Sequence, residues 1–393
     1  MDTFFPPQIY LANNLVPRVM VAPPKYIQGP GCLQAIGSYM SVLDVERIGV
    51  LASARGHSAQ AGEVTAALQA EGMTTIPSVF GGECSLQEIE ARAAELREKC
   101  VDCLVTIGGG KCVDAGKSIA GRVDVPLVVV PTLASNDAPT SAVSVLYTPE
   151  GVNSGAEFFP NNPVLVVVDT AVVAQASERY LVAGMGDAMA TWYEAKVCIE
   201  NPSARTILGG RPTLAAAAIG ETCAVNLFAH GLDACMAVRD NHVNESLEAV
   251  VEANTLLSGL GFESGGLACA HGIAQGLTTL PEVEHNFLHG EMVAYGVLTQ
   301  LMLQRERNEA RRVAEFFVTV GLPVTLAQIG VDDQVELDIE HMVQGTMAFT
   351  PLANLPFSVD APMVEKAIRA ADALGHDVIT RKGDSAYQAL HAV

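Results

Sequence analysis

Between residues 46 and 169 short apolar runs alternate with amphipathic ones. RIGVLAS (47–53), TTIPSVF (74–80), DCLVTIG (102–108) and PLVVVPT (126–132) have strand length and are bounded by Gly, Pro and polar residues. SAQAGEVTAALQAEG (58–72), LQEIEARAAELREK and KCVDAGKSIAGR (111–122), which lie between them, place apolar residues on one helical face. Buried, β-branched strands in alternation with helices predict a parallel sheet of Rossmann type. SAVSVLYTPEGV (141–152) followed by PVLVVVD (163–169) predicts a hairpin and a last strand. Past residue 177 the strand signal disappears. MGDAMATWYEAKVCIE, SLEAVVEANTLLSGLG, GEMVAYGVLTQLMLQRER and APMVEKAIRAADALG all carry helical spacing. The expected fold is therefore α/β plus all-α: a Rossmann-like parallel-sheet domain over 1–177 and a helical domain over 178–393.

Composition narrows the class of function. The chain has 393 residues, 49% of them hydrophobic, which suits two domains with substantial cores. Its formal net charge of −21 argues against non-specific binding to nucleic acid or to an anionic membrane. Nine scattered cysteines, Cys100 and Cys103 forming a lone C-x-x-C, read as reduced thiols rather than a disulfide or zinc framework. MDTFFPPQIYLANN has no basic segment leading into an apolar one, so no secretory signal is expected there. No uncharged apolar run reaches membrane-spanning length. The expectation is a soluble, cytoplasmic enzyme.

GGGKCVDAGKS (108–118) follows a strand and opens a helix. A nucleotide P-loop needs G-x4-G-K-[ST]. Gly116-Lys117-Ser118 supplies its end, but Lys111 stands where the first glycine belongs. The dinucleotide fingerprint G-x-G-x-x-G fits Gly108 and Gly110 and then meets Val113, on the third predicted strand rather than the first. What survives is a glycine turn at a helix N-terminus, whose free N–H groups suit a pyrophosphate. Lys117 and Ser118 read as ordinary helix.

Asp187 in GMGDAMATWYEA reads as lying at a glycine-flanked helix start, and His271 in ESGGLACAHGIAQG as lying mid-helix. His285 and His289 stand four apart where a further helix begins. One carboxylate and two imidazoles from three helices make an N/O donor set for a divalent metal. Read singly, each histidine is more commonly a buried, hydrogen-bonded residue than a metal ligand.

These segments, with PTLASNDAPTSAVSVLYTPEG and HNFLHGEMVAYG, resemble in order and spacing the glycerol dehydrogenase branch of the iron-containing alcohol dehydrogenase superfamily, over nearly the whole chain. The resemblance implies a dehydroquinate synthase-like pair of domains with the active site in the cleft between them. It implies metal ligands Asp187, His271 and His289, which would also meet the substrate, and leaves His285 as a neighbour of the site rather than a ligand. Iron-using relatives carry a further histidine one turn after the aspartate; here that residue is Thr191, so Zn2+ is expected. Gly109, Gly110, Lys111 and Asp114 match the pyrophosphate turn. Thr132, Ser135, Ser141, Val143 and Tyr147 match positions lining the nucleotide site. Asp137 matches the aspartate that contacts the polyol or diol substrate. NAD is the expected cofactor, although the acid that binds the adenosine ribose in NAD-preferring relatives is replaced by Ser53 and Ala54, followed by Arg55, which opens the way to NADP. A homo-oligomer, commonly an octamer, is implied as well.

A phosphorylated or carboxylated substrate would call for cationic residues facing the metal, and the motifs offer no Arg or Lys cluster. Another small alcohol or hydroxy acid remains an alternative substrate. A nucleotide-binding relative without catalysis is disfavoured because all three ligand positions hold metal-competent side chains.

Overall fold

A computed structural model describes residues 16–332 and 334–392. The stretch in which no secretory signal is expected lies wholly outside them. The chain forms two units. One comprises Ala22–Ala176 and Ala237–Gly259; the other comprises the described residues up to Val21, Ser177–Met236 and the described residues from Leu260 onward.

The first unit carries a six-stranded sheet built from β1 (Tyr26–Gln28), β2 (Arg47–Ala52), β3 (Thr74–Val79), β4 (Cys103–Gly108), β5 (Leu127–Pro131) and β8 (Leu165–Val168). The spatial order is β1-β8-β5-β4-β2-β3, and every pairing is parallel. β4, β5 and β8 are buried along their whole length, which is why they read as continuous apolar runs instead of alternating ones. The helices of this unit are α1 (Ile36–Met40), α2 (Ala54–Ala59), α3 (Ala61–Ala70), α4 (Leu86–Glu98), α5 (Gly110–Val123) and α6 (Thr170–Ala174). Leu33, Ile36, Met40, Val64 and Leu68 pack on Ile48, Val50, Val105, Val128 and Val167 to form one side of its core.

The predicted helix over 58–72 begins earlier and is broken in two. Ser53 Oγ accepts the Gly56 N–H and starts α2 directly after β2, and Gln60 separates α2 from α3. The predicted hairpin is β6 (Val143–Tyr147) with β7 (Asn153–Phe158), antiparallel and separate from the main sheet. β7 is polar and mostly exposed, so its apolar signal is weak.

Helix α7 (Glu178–Glu200) opens the second unit, and α8 (Leu214–Arg239) follows it. The end of α8, then α9 (Glu245–Glu252), a π-helical segment Ala253–Leu257 and the start of α10 (Ser258–Gly265) belong to the sheet unit. They are tied to it by Asn254 Nδ2 donating to the Ala134 carbonyl, Thr140 Oγ1 donating to the Thr255 carbonyl, and Gln28 Nε2 donating to Glu248. The remainder of the second unit is helical: α11 (Cys269–Leu277), α12 (Pro281–Asn286), α13 (His289–Leu303), α14 (Arg307–Val320), α15 (Val335–Ala348), α16 (Ala361–Lys382) and α17 (Ser385–His391). Helix α13 is its axis, buried over most of its length and packed against α7, α11, α14 and α16. Among the described residues no helix is long and apolar enough to cross a membrane, and all nine cysteines are unpaired.

Candidate active site

Three helices of the second unit bring Asp187, His271 and His289 together. Asp187 lies well inside α7, not at a helix start, because the helix begins nine residues earlier, at Glu178. His271 is the third residue of α11 and His289 the first of α13, so both histidines project from first turns. Gly186 and Gly290 sit beside Asp187 and His289, and they let α7 and α13 approach to backbone contact. A Cβ on Gly186 would lie 3.1 Å from the Gly290 carbonyl carbon, and one on Gly290 would lie 2.6 Å from that of Ala183.

Asp187 is buried, and neither of its carboxylate oxygens has a hydrogen-bond partner. A bare buried carboxylate is costly. Its Oδ1 instead lies 3.5 Å from His271 Nε2 and 3.4 Å from His289 Nε2. Those separations are too long for good hydrogen bonds, and they match the edge of a tetrahedron whose metal–ligand bonds are about 2.1 Å. One ligand atom from each of the three residues falls within 4.8 Å of the others. The donor set fits a divalent metal. Burial alone would raise the Asp187 carboxyl, yet His289 and His271 hold it well below the usual carboxylate range. Burial alone would lower the His271 imidazole, yet Glu194 and Asp187 hold it well above its ordinary value. The Asp187 shift favours the ionised carboxylate, and the His271 shift favours a ring that holds its proton between two carboxylates.

The positions of both histidines are fixed from behind by buried polar side chains. Glu194 Oε1 accepts the N–H groups of Ala268 and His271, at 2.8 and 3.0 Å, and Oε2 lies 2.6 Å from His271 Nδ1. Gln300 Oε1 accepts the N–H groups of Cys269 and Ala270, at 2.8 and 3.0 Å. The opening of α11 is thus fully bonded. At α13, Glu291 Oε2 accepts the Leu288 N–H at 2.7 Å, and the same carboxylate takes Arg179 and His391. His289 remains half exposed, which leaves one side of the triad open. His285 is exposed on α12 and is not part of the cluster. Thr191 is buried one turn after Asp187, with its methyl group against Gly261 of α10.

The second group of expected residues gathers in the sheet unit. After β2 the chain moves outward to β3, then returns to place β4 on the other side of β2 and continues outward to β5. The carboxyl ends of β2 and β4 therefore flank a topological switch point, where α/β sheets bind ligands. Ser53 N donates to the Ile107 carbonyl across that point. Gly109, the N-cap of α5, is extended at φ −82, so glycine there provides space and not a left-handed turn. A Cβ on Gly109 would meet Leu133 at 3.0 Å, and one on Gly110 would collide with the Asn136 amide. Thr132 N donates to the Gly108 carbonyl, which brings the strand end carrying Thr132 and Ser135 beside the turn.

Lys111 Nζ is paired with both oxygens of Glu83, at 2.8 and 2.7 Å, and lies 4.6 Å from the centre of the Tyr147 ring. Asp114 is buried against Lys117, whose Nζ donates to Asp114 Oδ1, Ser141 Oγ and the Val143 carbonyl at 3.0, 3.1 and 2.6 Å. Asp114 Oδ2 accepts the Val145 N–H. Lys117 is therefore not an idle helix residue: it ties Asp114 and Ser141 to Val143 of β6, all three of them expected nucleotide-site residues. Asp137 Oδ2 accepts from Ser258 Oγ at 3.1 Å. Glu194, Gln300, Glu291 and Lys117 were not singled out in the sequence as chemical residues. Glu194 alone carried a usable signal, standing two helical turns beyond Asp187.

A family model described as "Iron-containing alcohol dehydrogenase" matches residues 23–170. A glycerol dehydrogenase of Citrobacter freundii is 42% identical over 366 residues, covering 93% of this chain and 100% of its own length. The chain belongs to the iron-containing alcohol dehydrogenase family. The family match falls on the sheet unit, and the full-length relative extends the likeness through the helices that carry Asp187, His271 and His289. A glycolaldehyde reductase of Halobacterium salinarum is 39% identical over 92% of this chain and 99% of its own. The crystal structure of a glycerol dehydrogenase from Schizosaccharomyces pombe superposes with a TM-score of 0.88 at 34% identity, covering 94% of each chain. The fold expected for the family is present in both units.

Proposed function

We propose that this family member is a zinc-dependent dehydrogenase that takes hydride from glycerol, or a related vicinal diol, to NAD. The full-length match to glycerol dehydrogenases makes the chain a nicotinamide-dependent oxidoreductase acting on glycerol. The observation that carries the metal reading is Asp187, a buried carboxylate with no hydrogen bond and two imidazole nitrogens at 3.4 and 3.5 Å. Asp187, His271 and His289 would hold the ion. Three protein ligands with an open side suit catalytic zinc, and Thr191 occupies the place of a fourth.

Zinc, when bound, supplies Lewis-acid polarisation of a substrate hydroxyl. The chain's own residues do the rest. The half-exposed side of His289 leaves room for a diol, and Asp137 accepts a hydrogen bond from a polyol hydroxyl. The Gly109–Gly110 turn and the first N–H groups of α5 receive the pyrophosphate. Lys111, Asp114, Thr132, Ser135, Ser141, Val143 and Tyr147 shape the nucleotide site. Glycerol oxidised at C2 gives dihydroxyacetone, its carbinol hydride passing to the nicotinamide and its hydroxyl proton to solvent. NADP is the second reading, favoured by one observation: Ser53 caps α2 and Arg55 is exposed where an acid would repel a 2′-phosphate. We also propose a cytoplasmic homo-oligomer, octameric by resemblance, which light scattering on the purified protein tests.

The deciding experiment follows NAD+ and NADP+ reduction side by side, with glycerol and 1,2-propanediol, before and after chelation and zinc return. Chelator-sensitive oxidation restored by zinc is expected. Turnover indifferent to chelation, or no turnover on any diol, overturns the reading.

A further inference from the structure

We propose that Glu194 is the positioning residue of the metal site, holding His271 in the tautomer whose proton sits on Nδ1. The proposal rests on the reading of Asp187, His271 and His289 as metal ligands. Glu194 follows Asp187 by seven residues on α7, so both carboxylates leave the same face of the helix, and both are fully buried. Asp187 faces the Nε2 side of the His271 ring at 3.5 Å, and Glu194 faces the Nδ1 side at 2.6 Å. A carboxylate offers acceptors only, so a bond of that length requires the proton on Nδ1. In the neutral ring the lone pair then belongs to Nε2, the atom that a metal shared with Asp187 and His289 must meet.

The rival explanation is that Glu194 merely caps α11, since Oε1 accepts the N–H groups of Ala268 and His271. Gln300 argues against that. It caps the same turn through Cys269 and Ala270 at the same distances, using a neutral amide. An amide therefore suffices for the capping task. A buried carboxylate is the more costly choice, and the group at Glu194 that an amide could not serve is the Nδ1–H.

Glu194→Gln separates the two roles. Its Oε1 still accepts both backbone N–H groups, while its NH2 faces Nδ1 and drives the ring proton to Nε2, against the ion. The measurement is Zn2+ affinity of the apoprotein by competition with a chromophoric chelator, alongside urea unfolding of the apoprotein. Glu194→Gln is expected to weaken zinc by about 10–100-fold with apoprotein stability near wild type. Gln300→Ala is expected to lower apoprotein stability and leave zinc affinity within about threefold of wild type. Unchanged zinc affinity in Glu194→Gln overturns the proposal. So does a loss of affinity that merely tracks lost stability across the two variants. Histidine 15N spectra of the zinc-loaded wild type give a check that does not depend on Glu194→Gln. The His271 resonance, assigned by its absence from His271→Ala, is expected as Nδ1–H with Nε2 bound to metal, and binding through Nδ1 overturns the proposal. A wild type that takes up no zinc would bring down the metal reading itself. Uptake by wild type and not by His271→Ala sustains that reading, whatever Glu194→Gln does.

Discussion

Gly290→Ala tests whether helix contact sets the metal geometry. Gly290 is the second residue of α13, directly after His289, and it lies against the backbone of α7. A new methyl would stand 2.6 Å from the Ala183 carbonyl carbon and 3.2 Å from the Asp187 N. Carbon contacts settle at about 3.5–4.0 Å, so the helices must part by about 1 Å. The atoms in the way are backbone, and no side chain can swing aside. Overpacking of this kind costs about 1–3 kcal/mol, against which alanine's better helix propensity returns at most about 1 kcal/mol. Net stability thus falls only modestly. The site suffers more. A 1 Å displacement of His289 from its 3.4 Å separation to Asp187 leaves the two unable to reach one ion at normal bond lengths.

The assay is zinc content after gel filtration, kcat with saturating glycerol and cofactor, and urea unfolding in chelator. Gly290→Ala is expected to lose most of its zinc and about 100-fold in kcat, with a stability loss of about 2 kcal/mol or less. Gly62→Ala is the matched control. Gly62 is also the second residue of its helix, α3, and a Cβ there meets nothing within 4 Å. It should gain about 0.5–1 kcal/mol and change neither zinc nor rate. A Gly290→Ala protein with full zinc and full turnover would refute the argument that the glycine contact places the ligands.

Asp187→Asn should abolish zinc uptake, and zinc should no longer raise the unfolding midpoint of that variant, whereas 1,000-fold excess over Kd stabilises wild type by about 4 kcal/mol. Lys117→Met takes the ammonium away from the buried Asp114 carboxylate and should cost about 3–5 kcal/mol in urea unfolding, most of it recovered in Asp114→Asn/Lys117→Met. Glu157 is held below the usual carboxylate range, first by the Arg122 hydrogen bonds, so its contribution is complete above the unfolded carboxylate pKa and is lost as pH falls through the lowered folded value. Urea unfolding of Glu157→Gln should therefore fall short of wild type by about 1 kcal/mol at pH 7, the gap closing progressively below about pH 4.5. Ser53→Asp keeps a competent cap on α2 and restores an acid at the end of β2; kcat/KM for NADP+ should drop at least about tenfold relative to NAD+.

Residues that declare themselves by type and local spacing were legible in the sequence. Buried strands announced themselves as runs such as LVTI and LVVV, and Asp187, His271 and His289 stood out as donors among small apolar neighbours. β1 did not, because three half-buried residues carry no periodic signal. The attachment of Ala237–Gly259 to the sheet unit did not either, since the ties that make it, Asn254 to Ala134 and Gln28 to Glu248, span more than a hundred residues. The start of α7 was placed late because Gly184 and Gly186 look like helix punctuation. In the folded chain they are interior positions, and at Gly186 the missing side chain admits α13. Glu194 and Gln300 read as ordinary members of amphipathic helices, and only the packing of α7, α11 and α13 turns them toward the first turn of α11.

The run GGGKCVDAGKS fits neither nucleotide motif, even though it stands at the switch point of the sheet, where we propose that the dinucleotide binds. Both motifs describe a turn after the first strand of a mononucleotide unit, with glycines spaced for that turn. Here the turn follows β4, and its position at the switch point comes from β3 being laid down on the far side of β2. Switch-point geometry depends on strand order, which no short pattern encodes. The extended Gly109 then needs only room beside Leu133 and Gly110 only room beside Asn136, and a third glycine has no task, because Val113 is buried in α5. Lys117, the residue that most suggested a P-loop, is enclosed with Asp114, Ser141 and the Val143 carbonyl, too deeply to reach a phosphate. Its charge acts on the protein: it holds β6 to the helix whose N-terminus faces the switch point. A lysine in that role must be buried and paired, whereas a P-loop lysine must be free to meet phosphate, so the structure separates two functions that the sequence run superimposes.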